Sequence, residues 1–280
     1  MSSRGISRMS YFTLALGFAF LYLPILSLIV YSFNESRLVT VWSGFSVKWY
    51  GELLQDEQLM SATWVSLRIA FYTACASVVL GTMAAMVMTR FHKFNGKTLF
   101  GALITAPLVM PEVITGLSIL LMFVTFGSLL GMEQSRGMTT IWISHVTFCL
   151  AFVTVVVSAR LSELDRSLEE AAMDLGANRV KVFFVITLPI IAPALMAGWL
   201  LAFTLSLDDL VIASFTSGPA STTLPMKVFS SVRLGVSPKI NALATVWILS
   251  VSVAALIGWW IMARDEKRRQ RDIQLALQKG

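Results

Sequence analysis

The sequence predicts an all-α, polytopic membrane protein with six spanning helices. Three observations lead there. Of the 280 residues, 56% are hydrophobic and only 14% charged, where a soluble domain carries about 25% charged residues. The charges are excluded from six long apolar blocks, 12–33, 62–89, 99–127, 139–159, 183–205 and 241–263, each near the roughly 20 residues needed to cross about 30 Å of hydrocarbon. The basic residues also fall unevenly between those blocks. Fifteen of the 22 Lys and Arg lie before the first block, between the second and third, between the fourth and fifth, or after the sixth; six lie in the other connections and Arg68 inside a block. Basic residues gather on the cytoplasmic side, so both termini are expected to be cytoplasmic. No soluble stretch is long enough for a separate domain, and residues 1–280 are expected to form one transmembrane domain.

The first block follows Arg4 and Arg8 as a signal peptide would, but it is too long for an h-region and lacks a small-x-small cleavage pattern before Asn34. It reads as an uncleaved span. The second block holds Cys75, and the fourth Cys149; without CxxC or metal spacing both read as small buried apolar residues. Gly81 with Ala85 in the second block, and Ala194 with Gly198 in the fifth, place small residues four apart, which suits close helix contact. Pro107 and Pro111 interrupt the third block, and Pro189 and Pro193 the fifth. Such kinks remove a backbone hydrogen bond and serve either packing or a moving path.

Ionisable groups within spans are costly and face protein or water. Glu112 stands near the middle of the third block beside Pro111, and Arg68 stands in the second. They either pair with each other, or Glu112 faces a path and attracts a cation. Asp208 and Asp209, at the outer end of the fifth block, either cap the segment that follows or form an acidic mouth for a positively charged solute. The run RDEKRRQRD after the sixth block suits anionic lipid headgroups rather than nucleic acid.

Signatures of catalysis are missing. His92 and His145 are the only histidines, and neither HExxH nor GxSxG occurs. Gly96-Lys97-Thr98 resembles the tail of a P-loop, but Phe91 occupies the place of the required first glycine. The tripeptide reads as a tight turn. The chain is therefore expected to hold no cofactor and not to be an enzyme.

Between the fourth and fifth blocks lies the segment EEAAMDLGANRVKVFFVITLP. Ser167 and Glu170 have capping-box spacing, and Glu169 and Glu170 lie at the positive end of a helix dipole. Leu168, Ala171, Ala172 and Leu175 form one apolar stripe. Gly176 suits a left-handed C′ position. A short helix with a small-residue face follows, and such a face suits a protein partner better than a bilayer.

The spacing Glu170-Ala171-Ala172, then Gly176, Ile186 and Leu188-Pro189, resembles the EAA loop of the permeases of ABC importers, and six spans with this loop between the fourth and fifth match that family. The resemblance implies a type I ABC importer permease fold, with loop 160–182 carrying a coupling helix that docks on a cytoplasmic ABC ATPase dimer. Glu169, Glu170, Ala171, Ala172, Gly176, Ile186, Leu188 and Pro189 would form the coupling set. ATP and Mg would bind in that ATPase, not here. A second permease chain, expected to be a different one, and a periplasmic solute-binding protein are also implied, in a bacterial inner membrane. The segments APLVMPEVITG and SLDDLVIASFTSGP resemble those of putrescine and spermidine permeases. A polyamine, putrescine first, is thus the expected cargo, with Glu112, Asp208 and Asp209 as candidates along its path. The alternative is a secondary carrier for a small organic cation, driven by an ion gradient.

Overall fold

The computed structural model describes residues 8–38, 41–91, 93–129, 136–235 and 237–279. Arg4 and His92 lie outside them. Among the described residues the structure is helical, with no strand beyond one isolated bridge between Asn34 and Phe45. The helices are α1 (Arg8–Ser32), α2 (Lys48–Leu54), α3 (Glu57–Arg90), α4 (Lys97–Val109), α5 (Glu112–Leu129), α6 (Met138–Glu163), α7 (Arg166–Asp174), α8 (Arg179–Val182), α9 (Leu188–Asp208), α10 (Val211–Thr216), α11 (Leu224–Leu234) and α12 (Pro238–Lys279). A π-helical turn, Phe183–Thr187, joins α8 to α9.

Six segments are long and apolar enough to span a membrane: Met9–Ser32, Glu57–Arg90, Glu112–Leu129, Met138–Glu163, Arg179–Asp208 and Pro238–Trp260. The apolar block 99–127 is not one continuous helix. It divides into α4 and α5, because Met110 before Pro111 takes an extended backbone with ψ 137°. A proline ring disfavours the helical region for its predecessor and offers no N–H of its own. Gly96, with φ +91°, makes the turn into α4, as expected of Gly96-Lys97-Thr98.

The chain falls into two compact units, one drawn from its two ends (up to Glu57 and from Ser231) and a central one, Gln58–Ser230. In the first, α12 packs along α1 and against α2. The loop after α1 is organised by the buried Asn34. Its Nδ2 donates to the Val41 carbonyl at 2.7 Å, its Oδ1 accepts from the Ser43 N–H at 3.0 Å, and its own carbonyl accepts from Trp49 Nε1 at 2.6 Å. Lys239 on α12 reaches Asp56 at 3.3 Å.

The central unit is built around α6. Ile141, Cys149, Ala151, Val153, Val157 and Leu161 of this helix are all fully buried, and α9, α4 and α10 pack on it. Val153 is the wedge. A Cβ on Gly81 of α3 would lie 2.8 Å from Val153 Cγ1, and one on Gly198 of α9 would lie 3.3 Å from the same methyl. The glycine of each small-residue pair read from the sequence therefore meets α6. Gly116 of α5 admits α10 in the same way, since a Cβ there would lie 2.8 Å from the Phe215 ring.

Candidate functional site

Two places in the central unit gather polar side chains where apolar packing would be expected: the short helix α7 and the break after α9.

α7 begins at Asp165, not at Ser167. The Asp165 carboxylate accepts the Ser167 N–H at 3.0 Å. The expected capping box of Ser167 with Glu170 therefore does not form. Both residue types cap well, and the upstream one takes the position because Leu164 and Asp165 have already left the helical region. The Ser167 backbone N–H, helped by its hydroxyl, holds the Asp165 carboxyl below the ordinary carboxylate range.

The far end closes as the glycine predicts. Gly176 has φ +88°; its N–H reaches the Met173 carbonyl at 2.9 Å, and Ala177 N–H reaches Ala172 at 3.1 Å. This is the 6→1 and 5→2 pattern of a Schellman cap. Both ends of α7 are thus fixed by local hydrogen bonds.

No residue of α7 is buried. Glu170 and Ala171 are exposed, and Ala172 is partly covered. Glu169 turns the other way. Its Oε1 accepts from Arg90 Nη2 at 2.8 Å and from Thr187 Oγ1 at 2.7 Å. Of the eight residues in the expected coupling set, Glu169 thus faces the spans. Ile186 lies in the π-turn, and Leu188 and Pro189 open α9. Pro189 cannot return a hydrogen bond to the preceding turn, and the Leu188 N–H bonds to Phe183 across the wider π turn instead.

The second place lies where α9 ends. Asp209 is buried, and its Oδ1 accepts the Ala213 N–H at 2.8 Å, capping α10. His145 Nε2 lies 3.4 Å from the same oxygen, and His145 Nδ1 lies 2.7 Å from Ser206 Oγ. His145 stands two turns into α6, about 10 Å from its first residue. α9 therefore stops short of the level at which α6 begins, and α10 crosses the remaining depth, where the Thr140 hydroxyl donates to the Thr216 carbonyl at 2.7 Å. The acidic pair accordingly stands where α9 breaks off, beside α6 about two turns from its start.

Glu112 is not in mid-helix. It opens α5 immediately after the break at Pro111, and α10, which follows Asp208 and Asp209, packs against α5. Asp209 is committed to its cap, whereas Glu112 and Asp208 are exposed, and among the described residues no ion pair engages either. The alternative pairing of Glu112 with Arg68 is not made; the Arg68 guanidinium lies over the Trp64 ring at 4.8 Å. Two helices, α4 and α9, end at this acidic place and two, α5 and α10, begin there, so their opposed dipoles offset and the carboxylates set the local charge. Its two unpaired carboxylates favour a cation over an anion.

His145 was passed over in the sequence because it belongs to no motif. The available signal was its position: a histidine inside an apolar span is costly and implies a polar neighbour.

The chain is 64% identical, over 94% of each chain, to the putrescine transport system permease protein PotI of Escherichia coli (strain K12). It is 40% identical to the spermidine/putrescine transport system permease protein PotC of the same strain, over 90% of this chain and 92% of that one. Among solved structures, a chain of a bacterial ABC transporter involved in the import of the acidic polysaccharide alginate superposes with a TM-score of 0.71, covering 91% of this chain and 98% of that one at 17% identity. An amino acid ABC transporter with histidines gives 0.54, covering 77% and 98%, also at 17% identity. Residues 77–271, which include α7 and the acidic break, match the family described as the binding-protein-dependent transport system inner membrane component, and the chain belongs to that family.

Proposed function

We propose that the chain is one permease subunit of an ATP-driven polyamine importer, with putrescine as its first cargo. Its similarity to a putrescine permease over nearly the whole length is the observation that carries the cargo. The exposed, doubly capped α7 carries the mechanism. A helix with no fully buried residue, fixed at both ends and with Leu168 and Leu175 exposed, suits docking on a separate cytoplasmic ATPase dimer, which binds ATP and Mg. A second permease chain, expected to differ from this one, would complete the path, and a periplasmic binding protein would deliver cargo to it. Both termini would lie in the cytoplasm of a bacterium, with the chain in its inner membrane.

The path would pass Glu112 and Asp208. Two carboxylates free of intramolecular ion pairs among the described residues, one at the start of α5 and one at the end of α9, suit a dication whose charges lie at its two ends. The test is uptake of labelled putrescine into proteoliposomes holding the assembled transporter, with and without ATP. Uptake is expected only with ATP and the ATPase present. Robust uptake by this chain and its permease partner without any ATPase, driven by an ion gradient, would favour the carrier reading instead. Within the working system, Glu112→Gln with Asp208→Asn is expected to raise the KM for putrescine about tenfold or more, given the ~1.5 kcal/mol that a hydrogen bond to a charged group contributes.

A further inference from the structure

We propose that Glu169, Arg90 and Thr187 form a polar strut that ties the docking helix α7 to three spans, and that transmission of force depends on this strut rather than on the exposed face of α7 alone. The inference rests on the reading of α7 as the ATPase dock.

The question is what holds α7 in place. Apolar burial does not, since none of its residues is buried. Polar contacts do. A single oxygen, Glu169 Oε1, receives Arg90 Nη2 at 2.8 Å and the Thr187 hydroxyl at 2.7 Å. The two charged side chains are only 14% and 16% exposed, and Thr187 is 1% exposed. Arg90 is the last residue of α3, and its Nη1 also donates to the Leu161 carbonyl of α6 at 3.3 Å. Thr187 is the last residue of the π-turn leading into α9. One carboxylate therefore gathers the ends of α3, α6 and α9. Arg166, the first residue of α7, adds a bond from Nη2 to the Thr89 carbonyl at 2.6 Å.

The mechanical consequence follows from connectivity. Without the strut, α7 would be tied to the spans by its chain links, Leu164–Asp165 and Leu175–Asn178, and by the Arg166–Thr89 bond to the end of α3 alone. Displacing it would then act on fewer helix ends. With the strut, the displacement acts on three helix ends at once. Thr187 meets the strut at a π-turn, a rare element whose loose hydrogen bonding is often found at functional sites. Glu169 is a positioning residue here: it faces away from the surface that would meet the ATPase.

The role predicts a separation between docking and coupling. In assembled transporter in proteoliposomes, co-purification of the ATPase, ATP hydrolysis and putrescine uptake are measured for Glu169→Gln, Thr187→Val and Thr187→Ser. The ATPase is expected to co-purify with all three and to go on hydrolysing ATP. Putrescine taken up per ATP hydrolysed is expected to fall about tenfold in Glu169→Gln, within the range by which residues between coupled sites alter coupling. It should fall less in Thr187→Val, which loses only the hydroxyl, and be restored in Thr187→Ser. Unchanged uptake per ATP in both Glu169→Gln and Thr187→Val would overturn the strut. So would loss of ATPase capture in Glu169→Gln, since that would place Glu169 in the docking contact itself. Failure of the unaltered chain to capture an ATPase would instead sink the docking reading.

Discussion

Asp165 and Ser167 stand two residues apart, and either has the chemistry of an N-cap. The spacing of Ser167 to Glu170 favours the serine, yet the aspartate takes the role because the chain is already extended there. This choice has a pH signature. The cap holds the Asp165 carboxyl below its ordinary range, so its stabilisation of α7 is fully present above the pKa of the unfolded chain and is lost as pH falls through the lowered folded value. Asp165→Asn keeps a capping oxygen without the titration. Hydrogen exchange of α7 amides, compared as the ratio of wild type to Asp165→Asn, is expected to be flat near neutrality and to rise below the carboxylate range. A flat ratio down to acid pH would show that the carboxylate does not hold the helix. At this scale the sequence was partly legible. Gly176 was, because only a left-handed C′ position needs that residue there. The inward turn of Glu169 was not, because Arg90 and Thr187 lie 79 and 18 residues away in the chain. Nor was His145, whose partners Ser206 and Asp209 lie on another span.

At the scale of elements, periodicity located the helices but not their interruptions. An apolar block of about thirty residues is compatible with one helix or two. Only Met110, forced extended by Pro111, decides for two, and that decision moves Glu112 from mid-helix to a helix start. The same holds for Asp208 and Asp209, which stand at the turn from α9 into α10, the helix that packs against α5 and α6. The small residues were more legible, because a gap of four in a span says that something comes close; what comes close is Val153. Gly81→Leu is expected to cost about 1–3 kcal/mol by overpacking, since even a Cβ there stands 2.8 Å from Val153 Cγ1 and 3.2 Å from the Thr154 backbone nitrogen. Gly81→Leu combined with Val153→Ala is expected to regain most of that loss. The check is the detergent-unfolding midpoint of each variant; no rescue by the second change would mean that Val153 is not the residue in the way. Gly176→Ala tests the opposite case. A Cβ there meets nothing within 4 Å, so its cost is backbone strain alone, about 1 kcal/mol, felt by the Schellman turn and hence by coupled uptake rather than by membrane insertion.

At the scale of the whole molecule, the distribution of charge makes a claim about sidedness that the helix count constrains. Six spans are an even number, so the two ends of the chain must face the same compartment. The bias of basic residues predicts the cytoplasm for both, and with them for α7, because an even number of crossings is expected between that loop and either end. Single cysteines report this directly. Both native thiols lie within spans, Cys149 wholly buried and Cys75 accepting the Trp199 indole N–H at 3.4 Å, so a membrane-impermeant maleimide is expected to leave them unlabelled in intact cells. Ser43→Cys, in the loop after the first span, is expected to label from outside. Ser167→Cys on α7 and Lys279→Cys at the end of α12 are expected to label only after the membrane is opened. If Ser167→Cys labelled in intact cells while Lys279→Cys did not, the number of crossings between them would be odd, α7 would face away from any cytoplasmic ATPase, and the strut between Arg90 and Glu169 would have no motor to serve.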